Sequence, residues 1–279
     1  MPEAEQLAEA RTLLFVPGDR PERFAKAAAS GADAIVIDLE DAVAPPDKDA
    51  ALRNARAWLA EGHDAVIRLN PAESPWYRTE VAALCERPVA VVLPKAAGAE
   101  AVAGLVERLA AGSVVIPLIE TAAGVLDARA VCSVPGVVRA AFGHVDLSAE
   151  LGVPPETSAT LAHARVAVVL AAAAAGCAPP LDGVTTALDA PDVLNADVRR
   201  AADLGFTGKL CVHPRQIAVV HQGFAPSADE LAWAERVVAA AAGQGATAVD
   251  GQMIDRPVVD RARRLLGRRD KSTFRSSVD

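Results

Sequence analysis

Charged and polar residues recur in this chain at one kind of place, the end of a short aliphatic run. Asp38, Glu40 and Asp41 close the run that begins at Ala34, Arg68 and Asn70 close the next, Pro94-Lys95 follows a third, and Glu120, Asp146 and His213 follow three more. Pro17-Gly18-Asp19-Arg20 ends the first. Converging carboxylates, with no paired thiolates and only five histidines in the chain, suit a hard, oxygen-preferring cation, Mg²⁺ or Mn²⁺, that keeps positions open for substrate. Arg68 adds the planar fork that matches a substrate carboxylate. A metal and an arginine together stabilise negative charge developing on oxygen, as an enolate or oxyanion reaction requires. Any one of these acids could as well be a helix cap or a loop ion pair. The ring as a whole carries the reading, which at this level is a metal-assisted lyase, aldolase or isomerase.

The elements that must position this ring alternate regularly. Strands are expected over 12–16, 34–38, 65–69, 89–93, 114–119, 137–142, 183–186 and 209–212. Helices are expected after Pro21 and Asp47, and over 76–85, 99–111, 121–131, 158–175, 191–204 and 214–222. Eight such units give an α/β fold, a (β/α)8 TIM barrel over residues 1–222, whose catalytic groups sit at the C-terminal ends of the strands. No G-x-G-x-x-G follows the first strand, which sets aside a doubly wound dinucleotide-binding sheet. Residues 223–279 form a C-terminal helical extension or lid: a helix over 228–241, the loop AVDGQMIDRP, a helix from 258 and a solvated tail, RRDKSTFRSSVD.

Composition narrows the partners. Twenty-eight Lys and Arg stand against 36 Asp and Glu, a net charge of −8, the opposite of the basic footprint that nucleic acid demands. The most apolar run, 166–181, is fenced by Arg165 and Asp182 and broken by Pro179-Pro180, short of the roughly 18–20 residues of a membrane helix. The start, MPEAEQLAEAR, has no signal-peptide character, so the expected location is cytoplasmic. Cys85, Cys132, Cys177 and Cys211 form no Cys-x-x-Cys pair and are read as buried free thiols. With 52% hydrophobic but only 4% aromatic residues, the core must be small and aliphatic.

The motifs LLFVPGDRPERFAKA, VIDLEDAVAPPDK, VIRLN, VVLPKA, PLIETAAGV, AAFGHVDLSAELG, GFTGKLCVHPRQI and DGQMIDRPVVDRA resemble, in order and across nearly the whole chain, the citrate lyase β-subunit-like enzymes, a group that includes the malyl-CoA and citramalyl-CoA lyases. The resemblance implies a Mg²⁺-binding barrel, trimeric or hexameric, that cleaves β-hydroxyacyl-CoA thioesters to acetyl-CoA and a 2-oxo acid. It implies Glu120 and Asp146 as metal ligands, with Glu40 and Asp41 as the outer carboxylates that orient bound water. Arg68 resembles the arginine that grips the oxo-acid carboxylate and faces the enolate oxygen. Phe15, Arg20 and Lys26 resemble the positions that hold the CoA nucleotide and its phosphates. Asp255 resembles the acid/base that the extension presents to a neighbouring subunit, and protonates the enolate carbon.

The chain also departs from the family pattern. Ala123 stands where many members carry Arg, and Gly143-His144-Val145-Asp146 stands where many read GAED or GSED. These changes lie near the substrate and leave the metal ligands intact. The segment LDGVTTALDAPD looks closer to the stand-alone citramalyl-CoA lyase-like branch. His144 is read as a structural residue. Lys95 is read as a partner of the carboxylate ring rather than a Schiff base. The alternatives are an acyl-CoA thioester hydrolase, a metal-dependent pyruvate aldolase on the same barrel, and the β subunit of a citrate lyase complex.

Overall fold

The computed structural model describes residues 1–155, 159–241, 247–249 and 251–273. Eight parallel strands close into a barrel in sequence order: β1 (Thr12–Pro17), β2 (Ala34–Asp38), β3 (Val66–Arg68), β4 (Ala90–Leu93), β5 (Val114–Ile119), β6 (Arg139–Phe142), β7 (Ala178–Asp182) and β8 (Gly208–Cys211). Closure comes from β1 pairing with β8, Leu13 opposite Leu210. The helices between them are α2 (Phe24–Ala28), α3 (Lys48–Ala60), α4 (Tyr77–Leu84), α5 (Ala99–Val106), α6 (Ala122–Cys132), α7 (His144–Leu151), α8 (Ala159–Ala175), α9 (Pro191–Leu204) and α10 (Ile217–Gly223), with α1 (Ala4–Glu9) ahead of β1. Strands covered on both faces read as continuous aliphatic runs because neither face meets water. Leu13, Val36, Val66, Val92, Ile116, Leu118, Leu181 and Leu210 pack into one buried cluster that also takes in Leu7 and Ala10 from the α1 segment.

The chain divides into two compact units, Met1–Gly223 and Phe224–Asp279. In the second, α11 (Ala228–Ala241) packs on α12 (Arg256–Thr273) through Ala234, Val237, Val259 and Ala262, and the Arg261 guanidinium lies 5.0 Å from the Trp233 ring centre. The segment expected as a plain loop is a two-stranded antiparallel ribbon, β9 (Thr247–Val249) and β10 (Gln252–Ile254), with Gln252 opposite Val249. Asp-Gly between two such runs is a hairpin signal, and Gly251 takes φ +77°. The expected solvated tail is helical as far as Thr273, where α12 ends; residues 274–279 lie outside the described residues.

The seventh strand lies five residues earlier than expected, at Ala178–Asp182 instead of 183–186. Pro179-Pro180 reads as a strand breaker because proline gives no N–H to a ladder. Here the two prolines fall where the pairing with β6 shifts register, between Arg139 opposite Ala178 and Ala141 opposite Leu181. Their carbonyls are used: Pro179 accepts from Arg139 Nη2 and Pro180 from the Thr207 N–H at 3.3 Å. The cysteines are all free, but only Cys132 and Cys211 are buried; Cys85 and Cys177 are half-buried at helix ends, where the chain turns toward the surface. Among the described residues no helix is long and apolar enough to cross a membrane.

One fully buried cation closes the N-terminal end of the barrel. Arg139, at the start of β6, donates to the Leu7 and Ala10 carbonyls at 3.1 and 2.7 Å, to Pro179 O and to Thr207 Oγ1 at 2.8 Å. It thereby ties the α1 segment to β6, β7 and the turn before β8, and burial lowers its pKa to about 9. Arg139→Met removes a buried charge but strands three carbonyls, each costing about 1–3 kcal/mol when left without a donor. The second effect outweighs the first, and the variant is expected to lose roughly 3 kcal/mol or more in urea unfolding; an unchanged midpoint would show that α1 is not held by this residue.

Candidate active site

The opposite end of the barrel gathers the predicted ring. Asp38 ends β2, Arg68 ends β3, Lys95 follows β4, Glu120 follows β5, and Asp146 sits in the first turn of α7 after β6. Arg68 is the hub. Its Nε and Nη2 form a two-pronged pair with Asp38 at 2.7 and 2.6 Å, its Nη1 lies 2.9 Å from Glu40 Oε2 and 3.6 Å from Asp41 Oδ2, and its plane lies 4.7 Å from the Phe15 ring centre. The fork that the sequence reading assigned to substrate is therefore used within the protein, to fix the guanidinium.

Asp38 is the residue the sequence reading left without a role. Besides holding Arg68 it accepts from the Glu40 and Ala42 N–H groups at 2.8 and 3.2 Å, which bends the chain so that Glu40 and Asp41 follow into the mouth. A second brace lies beneath. Lys48, buried in the first turn of α3, donates to the Leu39 and Glu40 carbonyls at 2.7 Å each and to Asn70 Oδ1 at 2.8 Å, and Asn70 in turn is held by buried Glu80. Lys48 sits in a polar stretch, PPDKDA, that reads as solvated, so nothing in its pattern marks it as buried.

Glu120 is held from two sides. Its Oε1 accepts from the Lys95 N–H at 2.8 Å, an N–H aimed by a left-handed backbone at Lys95, φ +49°. On the other side Gly143 approaches so closely that a Cβ there would lie 2.5 Å from Glu120 Oε2. The Lys95 ammonium reaches Asp146 Oδ1 at 3.2 Å and Glu40 Oε1 at 3.7 Å, the pairing with the carboxylate ring that was expected. Burial first, then the nearby charges of Asp146 and Glu40, push the Glu120 carboxyl up to about 8. Burial likewise pushes Glu40 up to about 7, against the pull of Arg68.

The remaining predicted residues make other contacts. Arg20 and Lys26 are exposed in the segment after β1, Arg20 beside Asp19 at 3.6 Å. Phe15 lies beneath Arg68, so its ring faces the guanidinium. Asp255, in the second unit, accepts from the Val258 N–H at 3.2 Å and so caps α12. His213 caps the turn after β8, its Nδ1 accepting from the Arg215 N–H. His144 is buried against Gly183 with burial lowering its pKa to about 4, and its Nδ1 makes no hydrogen bond.

Residues 11–214 match the family model described as HpcH/HpaI aldolase/citrate lyase. The chain belongs to this family. A citrate lyase subunit beta-like protein of Deinococcus radiodurans is 39% identical over 92% of this chain and 96% of its own length. A (3S)-malyl-CoA thioesterase of Cereibacter sphaeroides is 33% identical over 98% of this chain and all of its own. Among solved structures, the Mycobacterium tuberculosis protein CitE in complex with magnesium, acetoacetate and coenzyme A is 38% identical, with a TM-score of 0.81 over 94% of this chain and 98% of that one. The HpcH/HpaI barrel is thus shared by fold and by sequence, and the carboxylate ring lies within the matched segment.

A carboxyl whose pKa rises on folding keeps its proton longer in the folded state. For Glu120 the resulting cost is absent below about pH 4.5, grows as the pH climbs, and is complete above about pH 8. Glu120→Gln removes it. In EDTA the variant should melt several degrees above the unchanged protein at pH 8.5, a gain of about 4 kcal/mol or less, and the gap should close by pH 5. A gap of constant size across that range would mean that Glu120 is not held protonated by its surroundings.

Proposed function

We propose that this barrel mouth is a Mg²⁺-dependent carbon–carbon lyase site that cleaves a β-hydroxyacyl-CoA of the malyl-CoA or citramalyl-CoA type into acetyl-CoA and a 2-oxo acid. The observation that carries the reading is an arginine fixed by Asp38 at the centre of a carboxylate ring that holds more negative than positive charge. The donor set fits a hard cation: all oxygen, with Lys95 already seated between Glu40 and Asp146. Among the described residues no group of three or more His, Cys, Asp or Glu side chains is arranged to hold a metal ion. Glu120 and Asp146 would therefore hold the ion as a pair, leaving its other positions to water and substrate. Magnesium and coenzyme A in the CitE complex support the same reading.

Bound Mg²⁺ would supply Lewis acidity at the substrate hydroxyl. Glu40, whose carboxyl burial pushes up to about 7, takes up the hydroxyl proton, and Asp41 orients water beside it. The oxygen lone pair then becomes the carbonyl of the 2-oxo acid as the C–C bond breaks, and the bonding pair passes to the thioester as an enolate. Arg68 presents its Nη1 end to the developing charge, held still by Asp38 and Phe15. Asp255 of a neighbouring copy protonates the enolate carbon to give acetyl-CoA, and Phe15, Arg20 and Lys26 face the nucleotide end of the thioester. A second reading, hydrolysis of a malyl-CoA-type thioester, is supported by the thioesterase relative.

Incubating the purified protein with Mg²⁺ and malyl-, citramalyl- or citryl-CoA, and following 2-oxo acid and free CoA separately, tests both. Oxo acid with acetyl-CoA supports the lyase; free CoA alone supports hydrolysis; neither, or full activity in EDTA, rejects the site as described. Arg68→Lys keeps one charge but loses the Asp38 fork, and kcat/KM should fall more than tenfold, above about 1.4 kcal/mol.

The shared site has its own test. Asp255→Ala and Glu120→Ala chains, each inactive, should regain part of the activity when mixed, because some sites then receive an intact ligand set from one copy and an intact acid from another. Chains shown to exchange yet staying inactive would assign Asp255 to its helix cap alone.

A further inference from the structure

Lys95 is the one residue of the ring whose backbone and side chain both act on the carboxylates. Its main chain is left-handed, φ +49°, a conformation that costs a non-glycine residue on the order of 1 kcal/mol and persists where the surroundings over-determine it. That bend aims the N–H at Glu120 Oε1, 2.8 Å away, and sends the side chain across the mouth. There the ammonium stands 3.2 Å from Asp146 Oδ1 and 3.7 Å from Glu40 Oε1. Asp146 and Glu40 are thus bridged by the Lys95 ammonium, and Glu120 is bonded by the Lys95 amide. A single positive charge is placed where two carboxylates demand one.

The anchoring is uneven. Glu120 and Glu40 are 3% and 4% exposed, so they cannot turn to water. The side chains of Lys95 and Asp146 are 39% and 38% exposed. The ammonium therefore has a way out to solvent, while Glu40 keeps its contact with Arg68 at 2.9 Å and the backbone contact with Glu120 stays when the side chain departs. A long, flexible cationic stem with a strongly hydrated head suits such exchange.

We infer that Lys95 is a built-in counter-cation: its ammonium occupies the carboxylate ring until a divalent cation enters, then swings out to solvent, so that the protein sets its own metal affinity by competition. The inference rests on the magnesium reading of this site. It makes Lys95 a positioning residue with two separable parts, an amide that keeps Glu120 aimed and an ammonium that must be displaced.

Calorimetric titration of Mg²⁺ into metal-free protein separates the two. Lys95→Met removes the competitor and keeps the backbone N–H, so its Mg²⁺ dissociation constant should be at least tenfold lower than that of the unchanged protein, while its melting temperature in EDTA falls because the ring has lost its only mobile cation. An equal or weaker affinity overturns the inference. If neither protein binds Mg²⁺, the magnesium reading falls and this inference with it; if only the variant binds, the competition is stronger than stated and stands. A measurement on the unchanged protein guards against a misfolded variant: acetylation by a water-soluble acylating reagent, read residue by residue by mass spectrometry, should speed up at Lys95 by threefold or more on adding Mg²⁺, with exposed Lys26 as the reference. Slower or unchanged labelling at Lys95 would show that the ammonium does not leave.

Discussion

The structure depends on the repulsion among carboxylates that the barrel forces together at its mouth. Asp38, Glu40, Asp41, Glu120 and Asp146 meet there with, among the described residues, only Arg68 and Lys95 paired directly to them. In water these acids would separate or stay solvated, but Asp38, Glu40 and Glu120 are buried. Three consequences are visible. Arg68 is gripped by three acids at once, Lys95 is drawn across the mouth, and Glu40 and Glu120, through burial first and the neighbouring acids second, keep their protons to higher pH than free carboxyls do. A site with this surplus of negative charge favours added positive charge, and a divalent cation delivers the most for the least volume.

The barrel contains a second buried charge cluster with the opposite character. Asp182, at the end of β7, is fully buried between Arg165 and Lys209, 2.8 and 3.3 Å away. Burial acts to raise its pKa, yet the two cations together hold it below the usual carboxylate range. Lys209 also reaches the Gly183 carbonyl, and the Arg165 guanidinium stacks 5.0 Å from the Phe142 ring centre. With two cations on one carboxylate the Asp182 charge is fully paired, and the cluster ties α8 to β7 and β8. Here a single acid is enclosed by cations, whereas at the neighbouring strand ends the acids outnumber the cations.

Much of this was legible in the sequence because a parallel barrel writes its strands as aliphatic runs and its chemistry at their ends. Seven of the eight strands and the ring of Arg68, Lys95, Glu120 and Asp146 follow from that rule. The seventh strand did not, because Pro179-Pro180 reads as a break and becomes acceptable only through a register shift in the neighbouring pair, which no single segment reveals. The partner of Asp38 and the burial of Lys48 were hidden for a different reason. A strand-end acid and a lysine in a polar turn carry no periodic signal, and only the closed fold puts Asp38 against Arg68 and Lys48 beneath Glu40. The fork of Arg68 belongs with these, since residue type gives its geometry but not which carboxylate fills it.

The two ends of the barrel divide the energetic burden. At the N-terminal end Arg139 gathers four acceptors, and the aliphatic interior closes over α1, so the fold is stabilised there. At the C-terminal end the same strands present acids that would relax apart if the scaffold yielded. Stability given up at a functional site is commonly recovered elsewhere in the fold, and the firmly tied N-terminal end is where this barrel recovers it. Loosening Arg139 should therefore act at a distance on the mouth: as the strands gain freedom the carboxylates separate, their repulsion falls, and with it the preference for a doubly charged ion.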